Sequence, residues 1–430
     1  MKFPTGFMIG SATAAHQVEG NNIHSDYWAL EQMKYSEFPE PSGEACDQYH
    51  LYQEDIRLMK EAGLNCYRFS IEWARIEPVK DQFDETEMQH YIDVIDCCIE
   101  NGIEPIVTLF HFTSPKWLMA EGGWEAESTI ERFKRYAMYV VDHIQDKVHY
   151  ICTINEANMG LQVRMIAERY RKQMEQMAAS NPKGEENLQV GINLEAMMKR
   201  QAAQKEEFKE VFGVDNPHYF VSPRTEEGDL MVARGHQLIR QAIKEKYPHL
   251  KVGLTLSLHD LQAIEGGEAY AAKEWDSEFK HYLPYIKEDD FFGVQNYTRT
   301  LVGPEGNLAY PEGTRMTQMN YEFYPEGLEH VIRKVHEDFK NELMVTENGT
   351  AMDNDEDRVE FIRIALEGVS NCIQDGIPVI GYNYWSFLDN FEWQRGYSMT
   401  FGLVAVDRKT QKRMPKESLS YLGSVAKEIK

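Results

Sequence analysis

Short apolar runs alternate with amphipathic helical stretches from one end of this 430-residue chain to the other. The first run, 6–15, is built of small residues and predicts a strand that lets neighbouring backbone come close. Polar and aromatic residues over 21–43 predict a long loop. Residues 47–62 place Tyr49, Leu51, Tyr52, Ile56, Leu58 and Met59 at helical spacing and stop at Gly63, a C-cap signal. Further apolar runs predict strands over 64–71, 103–110, 148–155, 252–258, 291–294, 343–347 and 379–385. Helical patterns fall over 87–101, 130–146, 229–246, an acidic stretch reaching 285, then 324–339, 355–375 and from 416 onward. After the fourth strand comes a polar, Met-rich helical excursion, about 159–224, interrupted at Asn181-Pro182-Lys183-Gly184.

Eight strand-then-helix units without an internal linker predict a closed α/β barrel, the (β/α)8 TIM barrel, as one catalytic domain over 1–430. The length would also suit two or three domains, and composition does not separate these options. An open doubly wound sheet shares the alternation. It is disfavoured because no GxGxxG or GxxxxGK[ST] loop follows the first strand.

Composition narrows the partners. A hydrophobic share of 42% with 12% aromatic residues supports a large core, and a formal net charge of −25 argues against nucleic acid or an anionic membrane as partner. The six cysteines form no CxxC pair and sit mostly in apolar runs, which reads as reduced core thiols rather than metal ligands. With no signal-peptide pattern at the N-terminus and no apolar run of membrane-spanning length, a cytoplasmic location is expected.

Chemistry concentrates where strands end. Gln17, Arg68, His111, Glu156, Tyr297, Glu347 and Trp385 all fall at or near predicted strand ends, the face on which barrels build their sites. Two carboxylates facing one cavity suit glycosidic cleavage, in which one protonates the leaving group and the other stabilises the sugar carbon. Either glutamate taken alone reads more readily as a surface charge or salt-bridge partner than as a catalytic group. The adjacent Asn155 and Asn348 weaken that reading, since an amide can bind sugar hydroxyls or fix a carboxylate. Arg68, the one charge in its strand, needs a buried anion, and the glutamates are candidates. Trp385 and Trp393 flank Asp389, Asn390 and Glu392; they read either as core or as a stacking platform beside hydroxyl-binding groups.

Thr153-Ile154-Asn155-Glu156 and Val345-Thr346-Glu347-Asn348-Gly349 resemble the two signature segments of glycoside hydrolase family 1, the retaining β-glucosidase type. Residues 7–20, Tyr67-Arg68-Phe69-Ser70-Ile71, the 385–393 block and Phe401-Gly402-Leu403 resemble further blocks of that family, in its order. The resemblance implies that Glu156 is the general acid/base and Glu347 the nucleophile. It implies that Gln17, His111, Asn155, Glu392 and Trp393 hold the non-reducing sugar, with Trp385 as its floor and Phe401 at the site. Arg68 and Tyr297 would support Glu347 and keep it ionised. Glu392 stands where members acting on 6-phosphorylated sugars carry a small hydroxyl residue, so an unphosphorylated substrate is implied.

The chain departs from the family at three places. His111 is followed by Phe112-Thr113-Ser114-Pro115, which alters one wall. Ala157 replaces a usual proline after Glu156, which predicts a looser loop. Gln295-Asn296-Tyr297 replaces Asn-Tyr-Tyr, so a sugar contact passes to Gln295. The resulting expectation is an exo-acting β-glycosidase without metal or cofactor, taking a small-molecule β-glucoside, with galactose or fucose and a homo-oligomeric state left open. A transglycosylase using the same pair and a catalytically silent sugar-binding protein are the rival readings.

Overall fold

The computed structural model describes residues 1–180 and 194–429, so the expected interruption at 181–184 lies outside the described residues. One parallel sheet organises the chain. Its strands are β1 (Met8–Ala12), β2 (Cys66–Ser70), β3 (Glu104–Thr108), β4 (Tyr150–Cys152), β5 (Lys251–Gly253), β6 (Thr255–Ser257), β7 (Phe291–Gln295), β8 (Glu342–Asn348) and β9 (Val379–Trp385). They pair in the order β5-β4-β3-β2-β1-β9-β8-β7-β6. Only Leu254 separates β5 from β6. Its carbonyl accepts from the Gly293 N–H at 2.8 Å, so the two pieces act as one broken strand that closes a TIM barrel of eight strand positions.

The strands are buried nearly throughout, because helices cover the outside and side chains fill the inside. Met8, Cys66, Ile106, Cys152, Phe291 and Met344 plug the lower half of the barrel. At Gly10 the close approach expected of small residues is real: a Cβ there would lie 2.0 Å from the Cys66 carbonyl oxygen. All six cysteines are free thiols.

The outer helices follow their sequence signals closely. Gln48–Ala62 ends on Gly63, whose φ of +106° lets its N–H reach the Met59 and Lys60 carbonyls, both at 3.0 Å. Glu85–Glu100 begins at Asp84, whose carboxylate accepts from Thr86 and Glu87 N–H. Elsewhere the chain departs from its pattern. The expected loop over 21–43 contains the helix Asp26–Glu31, started by Ser25 accepting from the Trp28 N–H. The stretch read as helical after residue 258 opens with a strand, Asp260–Ala263, which pairs with Arg299–Gly303 before the helix Glu268–Glu278 starts. Four residues are too few for a two-residue period to stand out.

The excursion is helical over Met159–Ser180 and Leu194–Phe212. Glu207 ties it to the first long loop by accepting from the N–H groups of Lys34 and Tyr35, at 2.6 and 3.1 Å. Among the described residues no helix is long and apolar enough to cross a membrane.

Candidate active site

A cavity of about 320 Å³ opens at the C-terminal ends of the strands, and Glu156 and Glu347 both line it. Glu347 stands near the end of β8, where the pairing with β7 skips between Val345 and Glu347. Such an irregularity re-aims a side chain out of the pleat. One carboxylate oxygen accepts from Arg68 Nη1 at 2.7 Å, and the other from the Tyr297 hydroxyl at 2.6 Å. Arg68, on β2, is buried and divides its donors, giving Nη2 to Asn155 Oδ1 at 2.6 Å. The anionic partner its sequence position demanded is therefore Glu347.

Glu156 follows β4 in a left-handed backbone conformation, φ +43°, which is uncommon for a residue with a Cβ. Its N–H donates to Thr255 Oγ1 at 3.1 Å. The loop is pinned where loosening was expected. The Ala157 N–H donates to the Thr255 carbonyl at 3.1 Å, a bond proline cannot make, and the Ala157 carbonyl accepts from buried Arg224 at 2.9 Å.

The two carboxyl groups differ in what surrounds them. The Glu156 pKa is pushed up to about 8, first by burial and then by the charge of Glu347, against the pull of Arg68. Burial also raises Glu347, which the expectation of a fully ionised group omitted. There Arg68, Tyr297 and Gln295 all oppose burial, so Glu347 is the group that ionises first. Half-buried Glu392 is pushed up to about 8 by burial and by Glu347, against donors on Gln17 and Trp385.

His111, Tyr297, Trp385, Glu392, Trp393 and Phe401 share the cavity with the two glutamates. The rings of His111 and Trp385 stack with centroids 5.7 Å apart, and Trp393 lies flat against His16 at 5.8 Å. Gln17, Asn155 and Gln295 are fully buried just behind this wall. Asn155 Oδ1 takes donors from both Arg68 and Gln295, while its Nδ2 faces His111 Nε2 at 3.1 Å. Gln17 donates to the Phe391 carbonyl at 2.8 Å and to Glu392 at 3.2 Å. Gln17 Oε1, Gln295 Oε1 and His111 Nδ1 are buried without a hydrogen-bond partner among the described residues, polar capacity left over beside the cavity. Asn296 turns its amide to the backbone carbonyls of Leu258 and Thr298, so Gln295 alone of that pair reaches the Asn155 network.

Comparison with known proteins identifies this arrangement. The profile of glycosyl hydrolase family 1 matches residues 1–430. The chain belongs to that family. This glycoside hydrolase is 31% identical to a β-glucosidase of Agrobacterium sp., over 99% of this chain and 95% of the other. It is 29% identical to a 1,4-β-D-glucan glucohydrolase of Thermotoga neapolitana, over 99% and 98%. Among solved structures, β-glycosidase BGL167 is 41% identical and superposes with a TM-score of 0.87, covering 99% of this chain and 97% of that one.

The family 1 enzyme also lines its cavity with residues that sequence reading passed over. Ser257 ends β6 and Leu258 and His259 follow directly from it, so the strand-end rule applied to that strand would have found them. Met159 and Val221 come from the two ends of the excursion, Met319 and Tyr321 from an irregular loop before the 324–339 region. Phe112 fills the wall that was expected to differ, packing on Trp393 at 5.3 Å and Phe220 at 5.9 Å. Among the described residues no group of three or more His, Cys, Asp or Glu side chains is arranged to hold a metal ion.

Proposed function

We propose that the chain is a cytoplasmic, retaining, exo-acting β-glycosidase on one catalytic barrel, releasing unphosphorylated terminal β-D-glucosyl residues, with galactosyl or fucosyl admitted, by double displacement. One observation carries the reading: two buried glutamates share a cavity, and only one of them is held by a guanidinium and a phenol. In the first step the Glu347 carboxylate attacks the anomeric carbon while Glu156 gives its proton to the departing oxygen. The C–O bond to the aglycone breaks and a glycosyl ester forms on Glu347. That ester carries no charge, so the second-largest cause of the high Glu156 pKa is gone. Glu156 then takes a proton from water, whose oxygen attacks the same carbon, and the bonding pair returns to Glu347.

The surroundings support a sugar ring in this place. Trp385 and Trp393 offer apolar faces, while Gln17, His111 and Gln295 hold unpaired polar atoms beside them. An unphosphorylated substrate fits because, among the described residues, no lysine or arginine lines the cavity, whereas Glu347 and Glu392 do. The apolar wall of Phe112, Met159, Val221 and Met319 is suited to an aryl or alkyl aglycone.

Glu347→Gly tests the assignment. Hydrolysis of an aryl β-glucoside is expected to fall by about 10⁴-fold or more, and turnover is expected to return with an α-glucosyl fluoride as donor. Absence of that rescue, in a folded variant, places the nucleophile elsewhere.

A further inference from the structure

His259 has no part in the proposed double displacement, yet it lines the cavity that holds Glu156. Its ring is held from behind. Nδ1 lies 2.7 Å from Glu278 Oε1, and its backbone N–H donates to Glu278 Oε2 at 3.2 Å, so one buried carboxylate fixes both the ring and the chain beneath it. With Nδ1 so engaged, the other ring nitrogen is left to face away from Glu278.

The same carboxylate-bearing helix end is stitched to the Glu156 loop. Asn158, two residues after Glu156, donates to the carbonyls of Ser257 at 2.7 Å and Glu278 at 3.2 Å, and it accepts from the Ser257 N–H at 3.1 Å. One hydrogen-bonded network therefore ties the dyad to the loop that carries the glutamate. Three acids face the His259 ring: Glu278 and Glu274 from the helix Glu268–Glu278, and Glu156 from the loop after β4. Arg169 pairs with Glu274, and Lys334 faces Glu278 from the helix Gly327–Asp338. Glu278 thus remains the acid closest to the imidazole.

We propose that His259, held by Glu278, is a positioning residue that carries positive charge beside Glu156 and favours its carboxylate form in the water-attack step. The inference rests on the roles given above to Glu156 and Glu347. In that step Glu156 must be unprotonated to take the proton of water, and a cation lining the same cavity favours that state. The charges act in the expected directions: Glu278 raises the pKa of His259, and His259 lowers that of Glu156.

Two variants test this with a dinitrophenyl β-glucoside, whose good leaving group makes the water-attack step limit kcat. In His259→Asn the alkaline limb of kcat/KM, read with phenyl β-glucoside because its poor leaving group needs the Glu156 proton, is expected to move up by roughly half a pH unit. With the dinitrophenyl substrate at neutral pH, kcat is expected to fall severalfold more than kcat/KM, with a stronger burst of phenolate. Glu278→Gln keeps the shape of the side chain and one acceptor oxygen but removes the charge, and it should move the limb in the same direction by less. Unmoved limbs in both folded variants, or equal losses in kcat and kcat/KM at every pH, would overturn the proposal. Should His259→Asn not fold, the Glu278→Gln limb decides. Loss, in Glu156→Gln, of the alkaline limb that the parent enzyme shows ties that limb to Glu156, and failure of the Glu347→Gly rescue would show separately that the underlying assignment is wrong.

Discussion

The two sides of the cavity are built on different plans. Around Glu347, two strands converge with hydrogen-bond donors: Arg68 from β2, and Gln295 from β7 with Tyr297 just beyond it, while Asn155 stands behind as a shared acceptor. Around Glu156 the backbone is left-handed, and the wall contains Met159, Val221 and Leu258 together with the His259 dyad. A dense set of donors makes ionisation easy to hold and hard to change. A sparse apolar wall leaves a pKa at the mercy of the neighbouring charge. The difference teaches that one carboxylate is surrounded by groups that favour its charge, while the proton affinity of the other depends on that charge, which is what the proposed double displacement requires.

Removing the guanidinium should break this contrast most severely. Arg68→Met strips Glu347 of its buried partner, and kcat/KM for an aryl glucoside is expected to drop by roughly 10²–10³-fold, with the acid limb of its pH profile moving to higher pH. Steady-state profiles across pH 4–9 check both effects. Tyr297→Phe removes one charge-assisted hydrogen bond at 2.6 Å and leaves the other donor in place. A loss of about 10- to 100-fold is expected, with the acid limb moving the same way but less. Equal effects of the two substitutions would show that Arg68 acts through shape alone.

The gentlest probe sharpens the contrast from the Glu156 side. Its folded pKa of about 8 lies above the ordinary 4.5, so across that window the folded protein keeps a proton the unfolded chain has released. Stability from this group is therefore present below pH 4.5 and falls as pH rises, by up to about 1.4 kcal/mol per pH unit inside the window. Glu392, also pushed up to about 8, adds a contribution of the same sign. Glu156→Gln should accordingly raise the melting temperature more at pH 8 than at pH 5. A gain independent of pH would mean that Glu156 is not the group titrating.

Much of this was legible in the chain because strand ends in a barrel are fixed by period and by burial. Glu156, Glu347, Arg68 and Tyr297 were readable as a set, since a charge closing an apolar run has few places to go except the mouth of the barrel. Gln17, Asn155 and Gln295 were readable as site residues but not as lying behind its wall, because residue type does not reveal which end of an amide is already engaged. Their bonds come from residues 44 to 375 positions away along the chain. His259 escaped notice because the short strand that follows it, Asp260–Ala263, was taken into a helix. Met319 and Tyr321 lie in irregular backbone where no period exists to follow. The effect of Ala157 was misjudged for a further reason: the lost rigidity of proline is visible in sequence, whereas the gained N–H needs the Thr255 carbonyl to be placed first.

The plug of Met8, Cys66, Ile106, Cys152, Phe291 and Met344 makes the barrel a well with a solid floor. Whatever enters must leave by the rim it came through, so the deeper half of a cleaved molecule stays trapped until the shallower half has departed. Release in that fixed sequence makes a free monosaccharide compete directly with the next substrate molecule for the bottom of the well.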